Sequence, residues 1–428
     1  MRSLRSRVEL IYDVCVIGSG MSGMAATLFA ANRGLTVLQV GSAGEILFAS
    51  GLLDLLGIHP IEKKKSWRDP WAGITALARD LPQHPYARIN QADIRAGFEE
   101  LVAFLNAKGL AYRHYKRRNQ EVVTSMGTTK MSYCLPQTMW NGAEAFRNKT
   151  PCLVVDFKGL KGFSAYQIAQ TLADKWPNMR SLKIEFPGLQ AFSEVHPERL
   201  ARLLEFRPNR LKLAQLIRPH LKKAGIVGFP TILGINGSWE VMADLEEHLG
   251  CPVFEIPSMP PSAAGLRLKE TFEQNLPSEG VILISHKQVL QARRDKKGFF
   301  MLDIGHTEKE RTVRCRAVVL ATGRFIGGGL HADRNGVWEN LFNLPVAQPE
   351  NRALWHCQDF LDPGGHPVNH AGLEVDARFR PLNRKGRPAS ENLYAVGSIL
   401  AHHDWMRMKC GSGLAIATAY AAVNALVS

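Results

Sequence analysis

Three glycines near the start of the chain have a spacing that could bind phosphates. The turn follows the pattern Gly-x-Gly-x-x-Gly, and its residues are Gly18, Ser19, Gly20, Met21, Ser22 and Gly23. In such a turn the first glycine makes a tight bend, the second lets the backbone approach a pyrophosphate, and the third allows close helix packing. The start of the next helix offers free N–H donors. The spacing predicts a dinucleotide-binding turn, with a purely structural turn as the alternative.

Two later segments place a glycine directly after an apolar run. The first ends in Ala321, Thr322 and Gly323, and the second in Gly397 and Ser398. They resemble the second and third signatures of two-dinucleotide-domain flavoproteins. An acidic residue often binds the ribityl chain where Ser398 stands. Either segment alone could be a core strand ending in a glycine turn, but three in the correct order favour a flavin site.

Two further glycine–serine segments are predicted to approach the flavin ring. Gly411, Ser412 and Gly413 open an apolar helix that must be buried, and its N-terminus could direct N–H groups at the ring. The alternative is a core helix with a flexible lead. Ser50 and Gly51 could donate hydrogen bonds to the ring, and the alternative there is a helix N-cap at Ser50.

Several polar residues lie in or beside the segments predicted near the flavin. Removal of a hydride from an alcohol needs a base near its hydroxyl group, and an anionic substrate would also need nearby cations. We predict His402 or His403 as the base and Arg324 and Lys409 as anion binders, with Arg267 a further possibility. Hydrogen-bonded structural roles for the histidines and ordinary ion pairs for the cations are the alternatives. The histidines have no metal-like spacing, so we predict no metal.

The identity of the flavin depends on one missing acidic residue. An acid usually closes the second strand of such a fold to hold the adenosine ribose, but Gly41 stands there. The diphosphate turn favours FAD, whereas the missing acid leaves FMN open.

Predicted strands and helices that must position these residues alternate along the chain, which predicts an α/β fold. We expect a Rossmann-like flavin-binding domain, with a parallel sheet and an antiparallel meander, plus an inserted α+β cap or substrate domain. The meander is predicted to begin at Val281–Ile284. The flavin domain is assigned to residues 1–60, 275–330 and 388–428, and the cap to residues 61–274 and 331–387.

Composition narrows the class of protein and its partners. The 428 residues are 45% hydrophobic and 21% charged, which is typical of a globular chain. The net charge of +14 makes an anionic partner a candidate, although solvated surface charge is favoured for each of the scattered basic runs. No nucleic-acid motif accompanies them, so we expect no nucleic acid. Seven cysteines without Cys-x-x-Cys spacing indicate a reducing compartment. We therefore expect a cytoplasmic protein that associates with the inner face of a membrane only through partners.

Specific segments of the chain resemble one known family. They are Ala49–Leu56, His84–Tyr86, Pro257–Ser262, Gly265–Leu268, Ala321–Leu330 and Cys410–Gly413. Over nearly its whole length the chain resembles the B subunit of anaerobic glycerol-3-phosphate dehydrogenase. Lys409, directly before Cys410, departs from the family pattern.

The resemblance implies a function and partners. It implies a quinone-linked, flavin-dependent dehydrogenase subunit, with FMN as the cofactor given for the family, in a complex that oxidises glycerol 3-phosphate to dihydroxyacetone phosphate. A catalytic flavoprotein subunit and an iron–sulfur membrane-anchoring subunit are the implied partners. The alternatives are a flavin dehydrogenase or reductase for another small anionic substrate, and a non-catalytic electron-relay or assembly subunit.

Overall fold

The computed structural model of the chain describes residues 10–42, 45–189 and 194–428. The α-helices of these residues are α1 (Met21–Asn32), α2 (Pro70–Asp80), α3 (Gln91–Ala107), α4 (Gln137–Asn148), α5 (Ala165–Thr171), α6 (Pro197–Leu204), α7 (Arg207–Ile217), α8 (Ser238–Leu249), α9 (Ala263–Asn275), α10 (Trp405–Met408) and α11 (Gly411–Val427).

The strands fall into two main sheets and several two-stranded ribbons. Those before residue 260 are β1 (Ile11–Ile17), β2 (Val37–Gly41), β3 (Tyr112–His114), β4 (Gln120–Val123), β5 (Thr129–Ser132), β6 (Cys134–Pro136), β7 (Cys152–Phe157), β8 (Met179–Ile184), β9 (Ile226–Pro230) and β10 (Val253–Ile256). Those after it are β11 (Ile282–Ser285), β12 (Gln288–Arg294), β13 (Phe300–Gly305), β14 (Lys309–Leu320), β15 (Leu330–Ala332), β16 (Val337–Glu339), β17 (Val346–Ala347), β18 (Gly372–Leu373) and β19 (Leu393–Ala395).

The larger sheet contains seven strands in the order β11-β2-β1-β14-β13-β12, with β19 also paired to β14. Strands β11, β2, β1, β14 and β19 run parallel to their neighbours in this group. The paired residues Ile17 and Leu320, and then Leu320 and Ala395, bring three strand ends into line. Because parallel strands end at the same edge, the segments that follow them are neighbours.

The predicted α/β fold with a parallel sheet and an antiparallel meander is confirmed, with one change to the meander. Strands β12, β13 and β14 are antiparallel neighbours. The predicted first strand of the meander is instead β11, which pairs parallel with β2. It follows helix α9, so it completes a helix-connected parallel pair rather than a hairpin.

Helices α1, α3 and α11 pack together and share their buried apolar residues with the larger sheet. Helix α11 packs against α1 and α3. A methyl group added at Gly97 of α3 would lie 2.9 Å from Cβ of Tyr420, so the two helices approach closely there. Phe98 and Leu101 of α3 share one hydrophobic core with Val14 of β1. The residue boundaries expected for the two domains stay a prediction.

The smaller sheet has four parallel strands in the order β10-β9-β7-β8 and a separate core. All six residues of β7 are buried, as expected for a central strand covered on both faces. The sequence pattern of Leu211–Ala224 predicts a helix over those residues, but the helix found there differs from that prediction at both ends. Helix α7 begins at Arg207 and ends at Ile217, because Pro219 cannot donate a backbone hydrogen bond to continue it. In the part of the chain that the structure describes, no helix is long and apolar enough to cross a membrane.

Candidate functional site

The glycine turn between β1 and α1 is fixed at two positions by the protein's own backbone. Gly18 has a φ of +124°, and a methyl group there would lie 2.1 Å from the carbonyl oxygen of Ala321. A methyl group at Gly23 would lie 2.1 Å from the carbonyl oxygen of Gly18. Both glycines are therefore required for the close approach of strand, turn and helix.

Gly20, between them, is different. Apart from its chain neighbours and its own helix, no described atom lies within 4 Å of the position that a methyl group would take there. Gly20 is the N-cap of α1, yet neither a capping side chain nor an acidic residue of the first turn is found there in the described residues. The first N–H groups of a helix have no partner inside it. The turn thus leaves open backbone and free donors together, which suits the diphosphate of a flavin dinucleotide.

The other two glycine-bearing segments meet this turn. The Ala321 N–H donates to the carbonyl oxygen of Ile17 at 2.9 Å, and the Val396 N–H donates to that of Leu320 at 2.9 Å. A methyl group at Gly397 would lie 2.4 Å from Oγ of Ser22. The structure therefore brings Gly18–Gly23, Ala321–Gly323 and Gly397–Ser398 to one edge of the sheet.

Ser50 and Gly51 lie at the start of a segment that crosses the N-terminus of α11. No helix follows Ser50 within the described segment 49–60, so the N-cap alternative is wrong. A methyl group at Gly51 would lie 2.8 Å from Cβ of Ala264 in α9, and the hydroxyl group of Tyr112 donates to the Gly51 carbonyl oxygen at 2.7 Å. The segment is thus held by tertiary contacts.

Two of the three residues that open α11 bind this same segment. The Asp54 N–H donates to Oγ of Ser412 at 2.7 Å, and the Gly413 N–H donates to the Asp54 carbonyl oxygen at 2.7 Å. A methyl group at Gly411 would lie 2.8 Å from the ring of Trp405. The predicted ring-binding segments are therefore neighbours of each other.

Arg324 lies among backbone carbonyl groups rather than carboxylates. Its Nη2 donates to the carbonyl oxygens of Leu400 and His403 at 2.9 and 3.1 Å, and its Nη1 donates to that of Asn369. Burial lowers the pKa of Arg324 to about 10, and the charge of Asp404 partly opposes this shift. A buried positive charge therefore stands directly after Gly323.

His403 and Arg324 form a buried cluster, the Arg324 cluster. The contact with Arg324 decides which nitrogen of the His403 ring carries the proton. Arg324 Nη2 is 3.2 Å from His403 Nε2, and because a guanidinium can only donate, that nitrogen accepts. The proton of the neutral ring then lies on Nδ1. The ring is fully buried, and burial together with the Arg324 charge holds the pKa of His403 well below its usual value. His403 is therefore neutral at physiological pH.

His84 is a member of this cluster whose role the sequence did not indicate. Its ring centroid lies 6.1 Å from that of His403, and its Nδ1 accepts the Tyr86 N–H at 3.1 Å. Burial lowers the pKa of His84 to about 3, with a further contribution from His59. The segment His84–Tyr86 carries the family resemblance, which is the one signal that could have pointed to it.

His402 and Lys409 lie outside the Arg324 cluster. His402 Nε2 is 2.9 Å from Oε1 of Glu374, whose side chain is exposed. Lys409 packs against Gly57, where a methyl group would lie 2.8 Å from its Cβ, and burial followed by the charge of Lys130 lowers its pKa. The four predicted catalytic residues therefore occupy three different surroundings.

Arg267, the further possibility for anion binding, is already paired. Its Nη2 donates to Oε1 of Glu255 at 2.8 Å and its Nη1 to Oε2 at 2.6 Å, with both side chains almost fully buried. Its Nε donates to the Gly234 carbonyl oxygen at 2.8 Å. These contacts satisfy the guanidinium, so Arg267 is a structural residue that joins α9 to the smaller sheet.

Comparisons with known proteins agree with this geometry. The family described as FAD binding domain matches residues 13–414. A relative from Halobacterium salinarum (strain ATCC 29341 / DSM 671 / R1), named as the probable B subunit of anaerobic glycerol-3-phosphate dehydrogenase, is 32% identical over 96% of this chain and 97% of its own length. A relative from Vibrio vulnificus (strain YJ016), named as the B subunit of the same enzyme, is 27% identical over 97% and 96%.

A solved structure of 3-ketosteroid delta1-dehydrogenase from Sterolibacterium denitrificans is 13% identical, with a TM-score of 0.43, over 97% of this chain and 99% of that one. By the family match, the chain is a flavoprotein of the FAD-binding-domain family, and its cofactor is a flavin, of which FAD is the usual one. Within that class it belongs to the family formed by the B subunits of anaerobic glycerol-3-phosphate dehydrogenases. It is therefore a flavin oxidoreductase subunit.

Proposed function

We propose that this chain is the flavin-bearing subunit of a complex that oxidises glycerol 3-phosphate to dihydroxyacetone phosphate and passes the electrons toward quinone. The observation that carries the proposal is the 32% identity to a relative of that name across almost the full length of both chains. The meeting of Gly20, Gly323 and Gly397 at one sheet edge supports it, because that edge is where a flavin dinucleotide lies in such folds.

The residues around the edge have distinct tasks in this proposal. The turn from Gly18 to Gly23 holds the diphosphate with its free N–H donors, and Thr322, Gly323 and Ser398 border the ribityl chain. Thr322 Oγ1 is buried and has no partner among the described residues, so it is available to such a group. Segments 50–51 and 411–413 border the flavin ring, which supplies the hydride-accepting group when bound.

Arg324 is the proposed contact for an anionic substrate or for a negatively charged flavin ring. Arg324 follows Gly323 directly and donates to carbonyl groups and to His403 Nε2, so its charge is not neutralised by a direct carboxylate contact among the described residues. A buried cation without a direct carboxylate contact favours a nearby anion, because screening by water is weak there. Lys409, outside the Arg324 cluster, is a second, partly buried cation.

A second candidate function has its own support. His403 is neutral and fully buried, and its Nε2 is occupied by Arg324, whereas His402 is bound to Glu374. His403 therefore has no free accepting nitrogen, and His402, whose Nδ1 can still accept, lies outside the Arg324 cluster. This favours an electron-relay subunit, in which a partner flavoprotein chain oxidises the substrate and an iron–sulfur subunit anchors the complex. Membrane association would then occur only through those partners.

Anaerobic flavin reduction tests these functions. The purified chain should show the two visible absorption bands of oxidised flavin, and glycerol 3-phosphate should bleach them. Bleaching by a small carboxylate but not by glycerol 3-phosphate would replace the substrate and keep the enzyme class. Failure of every substrate, with restored electron transfer to a quinone analogue when the partner chains are added, would establish the relay. A colourless chain that takes up no flavin would contradict the whole proposal.

A matched set of variants separates catalysis from packing. In a catalytic subunit, Arg324→Met should slow bleaching by glycerol 3-phosphate at least about tenfold, since a charge-assisted contact of about 1.5–3 kcal/mol is lost. Arg207→Met removes an exposed arginine paired with Asp244 and serves as the control. If both variants bleach at the wild-type rate while holding flavin normally, Arg324 does not contact the substrate.

A further inference from the structure

The stretch of chain that carries helix α7 is strongly basic. Residues 206–239 contain no Asp or Glu, although the chain has 39 of these acids in total. The same stretch contains six cations, which are Arg207, Arg210, Lys212, Arg218, Lys222 and Lys223. A basic stretch that includes an exposed helix indicates contact with an anionic partner.

Two of the six cations are neutralised by one acid of the neighbouring helix. The Nε atoms of Arg207 and Arg210 lie 3.3 and 2.5 Å from the carboxylate oxygens of Asp244 in α8. The other four cations are exposed, and in the described part of the chain they form no ion pair with a carboxylate. Their positive charge therefore faces solvent without a counter-charge from the protein.

Helix α7 also exposes apolar side chains beside these cations. Its buried residues lie on one side of the helix, so the opposite side faces solvent. Leu211 and Leu216 on that side are 37% and 46% exposed, and Lys212 lies between them around the helix axis. The surface is thus apolar and basic at once. We call it the basic face, and it consists of Leu211, Lys212, Leu216, Arg218, Lys222 and Lys223.

The basic face is fixed to the smaller sheet and its helices. Nε of Arg218 donates to the His248 carbonyl oxygen at 2.6 Å, which joins the end of α7 to the end of α8. Nη2 of Arg180 in β8 donates to the Leu221 carbonyl oxygen at 2.8 Å. The turn that carries the two following lysines is therefore held next to α7, and Arg180 places a further cation beside it.

An anionic lipid surface matches both properties of the basic face. Apolar side chains of an exposed helix enter the boundary between headgroups and acyl chains, while Lys and Arg beside them meet anionic headgroups. A fluid lipid layer accommodates leucines on both flanks of Lys212, whereas a protein partner would need two separate apolar pockets. Nucleic acid is bound mainly by phosphate contacts and aromatic stacking, which give the leucines no role.

We propose that the basic face binds an anionic membrane surface directly, with Leu211 and Leu216 inserted at the level of the phospholipid headgroups. This replaces the expectation that the chain reaches a membrane through partners alone. The proposal does not depend on the substrate or on the relay function, because α7 packs into the core of the smaller sheet and the flavin site lies at the larger one.

Co-sedimentation of the full, flavin-loaded chain with vesicles tests the proposal in the absence of substrate and partner chains. Vesicles made of equal parts of phosphatidylglycerol and phosphatidylcholine should sediment the chain. Vesicles of phosphatidylcholine alone should not, because they lack the surface charge that attracts the cations. High salt should weaken the binding by screening. Failure of the anionic vesicles to sediment the chain at low salt would overturn the proposal.

A pair of charge variants locates the contact. Lys222→Gln combined with Lys223→Gln should weaken binding about 25-fold, since each lysine near an anionic surface contributes about fivefold. Lys63→Gln combined with Lys64→Gln is the matched control, because these lysines are also exposed and Lys64 has a φ of +47°, close to the +48° of Lys222. The control should sediment like wild type. Equal losses in the two double variants would show that total charge, and not the basic face, causes binding.

An apolar variant distinguishes lipid from other anionic partners. Leu216→Gln should weaken vesicle binding about fivefold, because a partly exposed leucine no longer enters the lipid. Leu354→Gln is the control, since Leu354 is 51% exposed and precedes Trp355, which belongs to the core of the larger sheet. Unchanged binding of Leu216→Gln would contradict insertion into lipid. Tighter binding of poly-glutamate than of anionic vesicles would assign the basic face to an acidic protein instead.

Discussion

Gly397 packs directly onto Ser22, so that a methyl group at Gly397 would lie 2.4 Å from Oγ and 2.7 Å from Cβ of that serine. The two residues are far apart in the sequence, yet they belong to the third and first glycine-bearing segments. Their contact closes the edge where β1, β14 and β19 end. Gly397 is fixed further by its N–H, which donates to Oγ1 of Thr418 in α11 at 2.9 Å.

Replacing Gly397 with alanine should destabilise the fold and lower flavin content. Gly397 has a φ of +75°, a region that costs a residue with a side chain about 1–2 kcal/mol. Overpacking against Ser22 should add about 1–3 kcal/mol. The free energy of unfolding, from urea denaturation, and the flavin-to-protein absorbance ratio measure the two effects.

Gly386→Ala is the matched control for Gly397→Ala. Gly386 has a φ of +69°, but no described atom beyond its chain neighbours lies within 4 Å of its methyl position. This variant should lose only the backbone term of about 1–2 kcal/mol and keep its flavin. Equal losses in the two variants would mean that the contact with Ser22 is unimportant.

Replacing Gly20 with alanine should separate flavin binding from stability. Its φ of −76° and ψ of −177° suit any residue, and its methyl position is open, so the apoprotein should unfold within about 0.5 kcal/mol of wild type. The methyl group would enter the proposed diphosphate space, so flavin affinity should fall at least about tenfold, or 1.4 kcal/mol. Thermal unfolding of the apoprotein and fluorescence titration measure the two quantities.

The neighbouring variant Gly23→Ala should behave in the opposite way. Its methyl group would lie 2.1 Å from the Gly18 carbonyl oxygen, so the apoprotein itself should lose about 1–3 kcal/mol. If Gly20→Ala binds flavin as tightly as wild type, the open space at Gly20 does not hold the diphosphate.

The sequence could predict the strand ends because their signals are local. Apolar runs followed by glycine identify β1, β14 and β19, and parallel pairing then requires their ends to meet. The pairing of β11 with β2 could not be predicted in the same way. Its four residues look like a meander strand, and only the distant strand β2 decides their direction.

Tertiary contacts also decided the features that sequence reasoning missed. The segment after Ser50 forms no helix because the backbone of Leu53 pairs with Cys134, with N–O distances of 2.9 and 3.1 Å. The tautomer of His403 depends on Arg324, 79 positions earlier, and the pairing of Arg267 in α9 depends on Glu255 in β10 of the smaller sheet. Residue type alone cannot reveal whether such a group is free.

Breaking the Arg267–Glu255 pair should destabilise the protein strongly. Glu255→Gln leaves the guanidinium buried without its counter-charge, and the loss of one partner from a buried pair typically costs about 3–5 kcal/mol. The side chain of Glu255 also accepts the Leu233 N–H at 2.6 Å, and the glutamine can retain that contact. Urea denaturation of the apoprotein gives the change in the free energy of unfolding.

Glu198→Gln provides the control for this ion pair. Glu198 binds Arg202 with both side chains about half exposed, and pairs of that kind contribute at most about 1 kcal/mol. A loss at Glu255 no larger than that at Glu198 would contradict a structural role for the buried pair. It would also reopen anion binding by Arg267.

The buried histidines should make the apoprotein sensitive to mild acid. The pKa of His84 is lowered to about 3 and that of His403 well below its usual value, both mainly by burial. An unfolded histidine has a pKa of about 6.5, so below that pH the unfolded chain binds protons that the folded chain does not. The free energy of unfolding must therefore decrease as pH falls from about 6.5 toward the folded values.

The contribution of His84 can be isolated with His84→Asn, whose side-chain oxygen can still accept the Tyr86 N–H. Well below pH 6.5 each buried histidine contributes a slope of about 1.4 kcal/mol per pH unit. The variant should therefore lose stability less steeply by about that amount between pH 5.5 and 4.5, a window set by the unfolded value of about 6.5 and the His84 value of about 3. Urea denaturation at several pH values measures the slopes, and exposed His220→Asn is the control. Parallel slopes in wild type and His84→Asn would show that His84 is not held neutral by the fold.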